Sequence, residues 1–576
     1  MILPARWFLP EEAAGAPELA AAAGLSPPAA RVLWHRGYRD PNAVRGFLGP
    51  RIEDLHDPML LLGMGAAVER LRRAVAGGEK ILLYGDYDVD GTTSVVLLKK
   101  VLEMSGAGVS FHVPDRLKEG YGMRTEVVER AAAAGVGLIL SVDTGIRASE
   151  VVRRAGELAI DVIVTDHHLP EAQLPPALAV LNPNQPGCPY PEKNLCGAGV
   201  AFKLAQALLA ASGMAEAKTH RILGSLLKLV AIATVADVVP LTGENRVIVR
   251  HGLAGLAEVR NPGLRALLDT AGIAAGAVPT AHQVAFRIAP RINAAGRMAT
   301  ARDVIELFLT DSVDRARLIA GQLHALNQER QQAEAAMLAA ALEECEREPV
   351  TDAQAALVFA GEGWHRGVVG IVASRLVDRF HRPVFVLSLD TRTGEAHGSG
   401  RGIPEFHLLE ALESMPEMFT RFGGHRQAAG LVLPVERVQE FRRRFNEHAL
   451  GRLEPGNLRP RVNIDAIVDL SEINDRAVQD IFALEPFGYG NPTPVFAVLG
   501  VEVREPPFVW KEKHLRLRLW QNGRGLFVKA WRFAERAGEF VPGARLDAAL
   551  SFEEDSFAGG SGAAGWSATL RDVRPS

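Results

Sequence analysis

Short apolar runs alternate with amphipathic helical stretches between about residues 66 and 310, and this alternation restricts the fold more than any other feature. Residues 80–84, 108–113, 138–142 and 160–165 each read as a strand buried on both faces. Residues 66–75, 93–104 and a segment closing near 136 read as helices between them. Strands separated by helical crossovers form a parallel, doubly wound sheet. Such a sheet binds ligands beyond the carboxyl ends of its strands, so the residues that follow each apolar run are the ones to inspect.

Those residues are acidic. The first run ends in Tyr84-Gly-Asp-Tyr-Asp-Val-Asp-Gly-Thr-Thr93, with Asp86, Asp88 and Asp90 inside five positions. The third ends in Ser141-Val-Asp143-Thr-Gly145, and the fourth in Asp166-His167-His168. A further acidic residue, Asp237, lies with Lys228 inside the apolar stretch 222–241, directly after Ala233-Thr-Val-Ala236. Two charges argue against a membrane span there, so the stretch is read as a buried helix and strand. One Asp at a helix start is a cap; three exceed that need and repel one another unless neutralised. Four such ends converging on one crevice, with Asp and His together, suit two Mn²⁺ or Mg²⁺ ions and phosphoester hydrolysis.

The remainder of the chain divides by pattern. Residues 1–65 are Ala-rich and helical, with Pro breakers. Residues 311–350 form a long polar connector helix. Residues 351–453 resume the strand–helix alternation as a second α/β lobe. After Glu454-Pro455-Gly456, residues 457–576 show short strands at 461–468, 495–503, 514–520, 526–531 and 546–552, which predict a small closed barrel of the OB type. Within it, His514-Leu-Arg516-Leu-Arg518-Leu-Trp520 alternates basic and apolar residues, and Trp510 precedes it. This pattern suits either a single-strand-binding groove or a plain charged barrel face.

Composition narrows the class. A formal charge of −4 over 576 residues excludes a globally cationic nucleic-acid clamp, so any such surface is local. Three cysteines build no disulfide framework in a chain of this length, and Cys188 and Cys196 lack a second pair for zinc. Residues 1–10 do not read as a signal peptide. The expectation is a cytoplasmic protein without membrane attachment.

The motifs also carry a resemblance. Asp166-His167-His168, with the other Asp motifs in this order, is similar to the DHH phosphoesterase superfamily. Arg287-Ile-Ala-Pro-Arg-Ile-Asn-Ala-Ala-Gly-Arg297, Trp364-His365, Gly367-Val-Val-Gly-Ile-Val-Ala-Ser374, His397-Gly-Ser-Gly-Arg401, Phe422-Gly-Gly-His425 and Glu485-Pro-Phe-Gly-Tyr-Gly-Asn-Pro492 resemble the RecJ family of single-stranded-DNA exonucleases. The resemblance runs from Leu33-Trp34-His35-Arg36 through nearly the whole chain.

It implies Asp88, Asp90, Asp143, His167 and Asp237 as metal ligands, with Asp143 bridging and acting in catalysis. His168 becomes a catalytic-site histidine. Asp86 and Asp166 become ligands or orienters. Arg116, Tyr121 and Arg297 become contacts to phosphate or the terminal nucleotide. Ser399 and Arg401, read as part of a Gly-rich turn, would cradle a 5′-phosphate, with His425 facing the same cleft. Trp510, Arg516 and Arg518 would bind the strand. The implied activity is 5′→3′ degradation of single-stranded DNA to 5′-mononucleotides in repair and recombination, alongside single-strand-binding protein and a RecQ-type helicase. The competing readings are a DHH-type hydrolase of small phosphates or short RNA, and a catalytically inactive replication scaffold.

Overall fold

The computed structural model describes residues 5–116, 119–120, 122–555 and 565–576. They form two compact units, one of residues 51–454 with 488–491, the other of residues 1–50 with 455–487 and 492–576.

The larger unit contains the expected parallel sheet. Its five strands run in the order Gly108–His112, Lys80–Tyr84, Val136–Val142, Asp161–Thr165 and Ala179–Leu181, all parallel. Successive side chains point to opposite faces, and both faces are apolar. Ile81, Leu83, Leu140 and Ile163 pack into one core with helices Met64–Ala76, Val89–Met104 and Gly197–Ala211. Leu82, Tyr84, Ile139 and Val164 pack into the other with helices Thr125–Ala133 and Ser149–Glu157. Burial on both faces explains why the strands read as continuous apolar runs.

Helix Val313–Arg347 is the predicted connector. Ser312 caps it by accepting from the Arg315 N–H at 3.2 Å. Its early residues Ala316, Ile319, Ala320 and Leu323 join the first core, and Met337 and Ala341 join that of the second lobe. At 35 residues and about 1.5 Å per residue it spans two cores. The second lobe is a mixed five-stranded sheet in which Leu357–Glu362 runs parallel to Val384–Asp390. Glu395–Arg401, Ala428–Pro434 and Arg421–Gly424 continue it antiparallel.

Two expectations about elements need correction. The stretch 222–241 is not helix then strand: helix Glu216–Ala236 runs through it and ends at Asp237. Continuous apolar runs do not distinguish a buried helix from a buried strand. Ser399 and Arg401 lie on strand Glu395–Arg401, not in a turn. The glycines there serve packing: a Cβ on Gly398 would fall 2.3 Å from the Leu387 side chain, and one on Gly400 2.5 Å from the Phe385 ring. Strand alternation leaves Ser399 and Arg401 on the opposite face.

The smaller unit is a closed barrel. Phe496–Val503, Arg545–Glu554, Trp566–Pro575, Arg524–Ala530 and His514–Gln521 follow one another around it, and the last pairs back onto the first through Val503 and Leu519. Five strands were expected, but the membership differs. Residues 461–468 supply only the short strands Arg461–Asn463 and Ala466–Ile467 beside the barrel, and Trp566–Pro575, which carries Arg571, Asp572 and Arg574, completes it. The N-terminal helices belong to this unit. Leu19, Val32, Leu33, Val44 and Phe47 share a core with Phe496, Leu517 and Leu550, and Arg36 pairs with Asp465 at 2.9 Å.

Candidate active site

The carboxyl ends of three parallel strands and one helix terminus bring the acidic motifs together. Asp88 caps helix Val89–Met104, its side chain accepting from the Gly91 N–H at 3.0 Å. Thus one of the three clustered carboxylates does serve as a cap. Asp90 is buried in the first turn of the helix, and its two oxygens accept from the Gly197 and Ala198 N–H groups at 2.6 and 2.8 Å. These are the first amides of helix Gly197–Ala211, whose positive end favours a carboxylate.

Asp143 follows strand Val136–Val142 with φ +58°, a left-handed conformation uncommon outside glycine. Its N–H donates to the Thr165 carbonyl at 2.9 Å, which fixes it beside the third strand. A Cβ on Gly197 would sit 2.6 Å from the Asp143 Cβ, so only glycine allows the helix end to approach this closely. Asp237, expected at a strand end, instead terminates helix Glu216–Ala236. A carboxylate at the negative end of a helix is unfavourable unless a cation offsets it.

The histidines come from the third strand end. Asp166 Oδ1 accepts from the backbone N–H groups of His167 and His168 and pairs with His168 Nδ1 at 2.7 Å; Oδ2 accepts from the Ile146 N–H. Its bonds are satisfied by protein, so it orients the pair. Asn182 and Asn184, just after strand Ala179–Leu181, donate to the carbonyls of His168 and His167. His167 Nε2 then lies 3.7 Å from Asp90 Oδ2, 3.3 Å from Asp143 Oδ1 and 3.7 Å from Asp237 Oδ2. It is buried and hydrogen-bonded to none of them. Asp143 Oδ1 and Asp86 Oδ1 are likewise buried without a hydrogen-bond partner.

This pattern fits divalent cations. Oxygen or nitrogen donors at about 2.1 Å from one hard ion, at right angles, stand roughly 3 Å apart, close to the spacings around His167. Three donor groups each lie within 4.8 Å: Asp90, His167 and Asp237; Asp86, Asp88 and Asp143; and Asp143, His167 and His168. Asp143 and His167 each belong to two of them, and of the two only the carboxylate, with two oxygens, is able to bridge.

The electrostatics agree. Burial, then the charges of Asp90, Asp88 and Asp86, raise the Asp143 carboxyl far above its ordinary range. Burial and Asp88 push Asp86 up to about 8, and burial and Asp90 push Asp237 up to about 9. Burial lowers His167, which keeps it neutral and able to ligate. Burial also opposes charge on His168, but the Asp166 hydrogen bond and charge outweigh it and raise the ring.

A cavity of about 300 Å³ opens over these groups, lined further by Tyr87, Arg116, Asn293 and Arg297. Arg116 stacks on the Tyr87 ring at 5.1 Å. Asn293 accepts from the Val89 N–H and so ties helix Ala289–Met298 to the acidic loop. Arg297 donates to the Gly367 carbonyl at 3.0 Å. Its guanidinium is pushed down to about 10 by burial and by Arg116, Arg330 and Arg401. Arg401 donates to Ser399 Oγ at 3.0 Å. Both face the first turn of helix Val369–Phe380: a Cβ on Gly370 would approach Ser399 Oγ to 2.9 Å and Arg401 Nη2 to 3.0 Å. Among the described residues neither Arg297 nor Arg401 pairs with a carboxylate. Half-buried, mutually repelling guanidinium groups beside a helix N-terminus suit an anion.

Comparison with known proteins places this geometry. Residues 80–234 match the DHH family, N-terminal domain; residues 352–449 the DHHA1 domain; and residues 464–563 the RecJ OB domain. The single-stranded-DNA-specific exonuclease RecJ of Dickeya dadantii is 40% identical over 483 residues, 81% of this chain and 82% of that protein. This chain belongs to the RecJ family. The RecJ of Bacillus subtilis is 38% identical over 525 residues, and the match spans 91% of this chain but 65% of the Bacillus protein. The crystal structure of RecJ in complex with Mn²⁺ from Thermus thermophilus superposes with a TM-score of 0.83 at 32% identity, covering 100% of this chain and 80% of that one.

Other expected residues of this RecJ-family chain are dispersed. Tyr121 lies outside the described residues. His425 is exposed in the hairpin between Arg421–Gly424 and Ala428–Pro434, its N–H donating to the Ala428 carbonyl. On the barrel, Arg518 lies 4.2 Å from the Trp520 ring centroid and 5.0 Å from that of Phe527, and Arg516 lies 5.5 Å from that of Phe508. Trp510 stacks near Trp531 at 5.2 Å. Phe508 and Phe527 are 60% and 59% exposed. Sequence reasoning missed these two phenylalanines, which stand on strands flanking the basic one. It also passed over Asn293, inside a motif already singled out, and Asn182 and Asn184, whose short strand was not foreseen.

Proposed function

We propose that this chain degrades single-stranded DNA from the 5′ end to 5′-mononucleotides, using two Mn²⁺ or Mg²⁺ ions. The observation that carries this reading is the set of buried, unpartnered donor atoms on Asp86, Asp143 and His167, set beside half-buried arginines that, among the described residues, lack carboxylate partners. The first set calls for cations and the second for a phosphate.

Asp86, Asp88 and Asp143 would hold one ion, and Asp90, His167 and Asp237 the other, with Asp143 within reach of both. Bound there, the ions supply an activated water and neutralise charge on the departing oxygen. Asp166 holds the His168 ring in one orientation and favours its protonated form, so His168 presents positive charge to the scissile phosphate. Arg297 and Arg116 grip the nucleotide in the cavity. Ser399 and Arg401 receive the terminal phosphate, which sets direction. A cavity of about 300 Å³ takes one nucleotide rather than a duplex end. Aromatic rings and guanidinium groups on the barrel stack bases and hold the strand.

A hydrolase of small phosphates would have no use for the exposed rings of Phe508, Trp510 and Phe527, and an inactive scaffold none for the donor set. Single-strand-binding protein and a RecQ-type helicase, which supply unpaired ends, are the partners in repair and recombination, and the cytoplasm is the compartment. The test is release of labelled mononucleotides from a 5′-labelled oligonucleotide with Mn²⁺. The reading expects mononucleotides from single strands and none from blunt duplex; products longer than one nucleotide, or no cleavage, overturn it.

A further inference from the structure

A second cavity, of about 450 Å³, lies in the sheet lobe between helices Val89–Met104 and Glu216–Ala236 and the start of helix Pro262–Thr270. Lys100, Lys228, Arg221 and Arg260 line it, against one carboxylate, Glu258. Leu226, Leu229, Leu264 and Phe308 supply an apolar wall. It is separate from the active-site cavity. Lys100 is ten residues along its helix from Asp90, and Leu226 eleven residues before Asp237, each about 15 Å at the helical rise.

The cations here are not accounted for by the protein. Lys228 donates to the Glu258 backbone carbonyl and Arg221 to that of Ala217. Among the described residues none of the four forms an ion pair. Lys100, part-buried, makes no hydrogen bond there either, and burial lowers its ammonium below the usual lysine value, with only Asp311 opposing. Burial lowers Lys228 as well. Four cations against one carboxylate on a partly enclosed apolar wall call for an amphiphilic polyanion. The volume lies in the range of small-molecule sites.

We propose that this cavity is a binding site for a nucleoside monophosphate, with the phosphate on Lys100 and Lys228 and the base against the apolar wall. The choice of a nucleotide over other amphiphilic phosphates rests on the reaction proposed above, which releases that product. The experiment is titration calorimetry of the full, metal-free chain with 2′-deoxyadenosine 5′-monophosphate, inorganic phosphate and deoxyadenosine. The proteins are wild type, Lys100→Met/Lys228→Met and Arg260→Ser. Arg297→Met marks binding in the active-site cavity.

The wild type is expected to hold the nucleotide at a site that Arg297→Met leaves intact. The double variant should bind there at least a hundredfold more weakly, about tenfold or more per lost charge-assisted bond. Arg260→Ser, at an exposed rim, should weaken binding about tenfold and guards against a double variant that does not fold. Degradation of single strands by both variants should match wild type. Nucleotide binding that survives in the double variant overturns the site, as does equal affinity for deoxyadenosine or for inorganic phosphate. Failure of wild-type strand degradation would instead count against the exonuclease reading, independently of these titrations.

Discussion

The sheet lobe and the barrel both present charge, but in opposite ways. In the sheet lobe, carboxylates are buried among their own kind beside the half-buried Arg297, and Asp143 sits at φ +58° to join them. On the barrel, Arg516 is exposed beside the Phe508 ring, and Arg518 is half-buried against the rings of Trp520 and Phe527. The first arrangement is unfavourable until ligands fill it; the second costs the fold little. A preorganised centre stores strain and repulsion that its ions release, whereas a gripping surface needs only stacking faces and cations. Mutations should therefore trade activity for stability in one region and change only affinity in the other.

The largest expected effect is at Asp143. Asp143→Asn keeps a side chain that tolerates the left-handed backbone and removes the shared negative charge. Hydrolysis should fall at least about a thousandfold, since ion-mediated stabilisation is worth several kcal/mol. The metal-free variant should nonetheless melt higher than metal-free wild type. The pH dependence follows from the same groups. In metal-free protein, Asp86 and Asp237 hold protons up to about pH 8 and 9, whereas the unfolded chain releases them near pH 4. That stability is full below about pH 4 and is lost as pH rises through 8 to 9. Mn²⁺ should remove the alkaline loss. An apo melting temperature that rises over this range, or falls in Asp143→Asn, would erase the contrast between the two regions.

An intermediate effect is expected at Arg401, which is half-buried and donates to Ser399 Oγ. If it holds the terminal phosphate, wild type should degrade a 5′-phosphorylated strand faster than a 5′-hydroxyl one. Arg401→Ala should erase most of that difference, about ten- to a hundredfold for a charge-assisted bidentate contact. Retention of the full preference would move the phosphate site elsewhere.

The two regions also differed in how far the sequence disclosed them. Strand-end chemistry is local, so Asp86, Asp88, Asp90, Asp143 and the Asp-His-His motif could be placed from apolar runs and the residues after them. Asp237 is expected after a strand but stands at the end of a helix, because residues 226–235, all buried except Lys228, carry no periodicity that tells helix from strand. Ser399 and Arg401 were attributed to a turn because glycine in strands, admitted here beneath Phe385 and Leu431, mimics turn composition. In the barrel the basic strand was legible by its alternation. Its neighbours Phe508 and Phe527 were not, since cross-strand register is a tertiary property. The same holds for the N-terminal helices, which share the barrel core with strands more than 400 residues away.

The smallest effects belong to the barrel. Arg516 and Arg518 alternate on one strand, and the exposed Phe508 and Phe527 rings lie on the strands to either side. A strand of DNA bound there would stack bases on the rings and place phosphates near the guanidinium groups. Trp510→Ala should weaken binding of long oligonucleotides by about 1–3 kcal/mol for one lost stacking face. Arg516→Gln should cost less at physiological salt but lower the log–log salt slope by about 0.7, the share of one neutralised phosphate on a single strand. Neither change touches the buried donors, so turnover of very short substrates at saturation should stay at the wild-type value. The measurement is binding and turnover against oligonucleotide length at two salt concentrations. A loss that is uniform with length would mean these residues support the fold of their unit. A loss that grows with length and fades at high salt would assign the gripping to this surface and the chemistry to the sheet lobe alone.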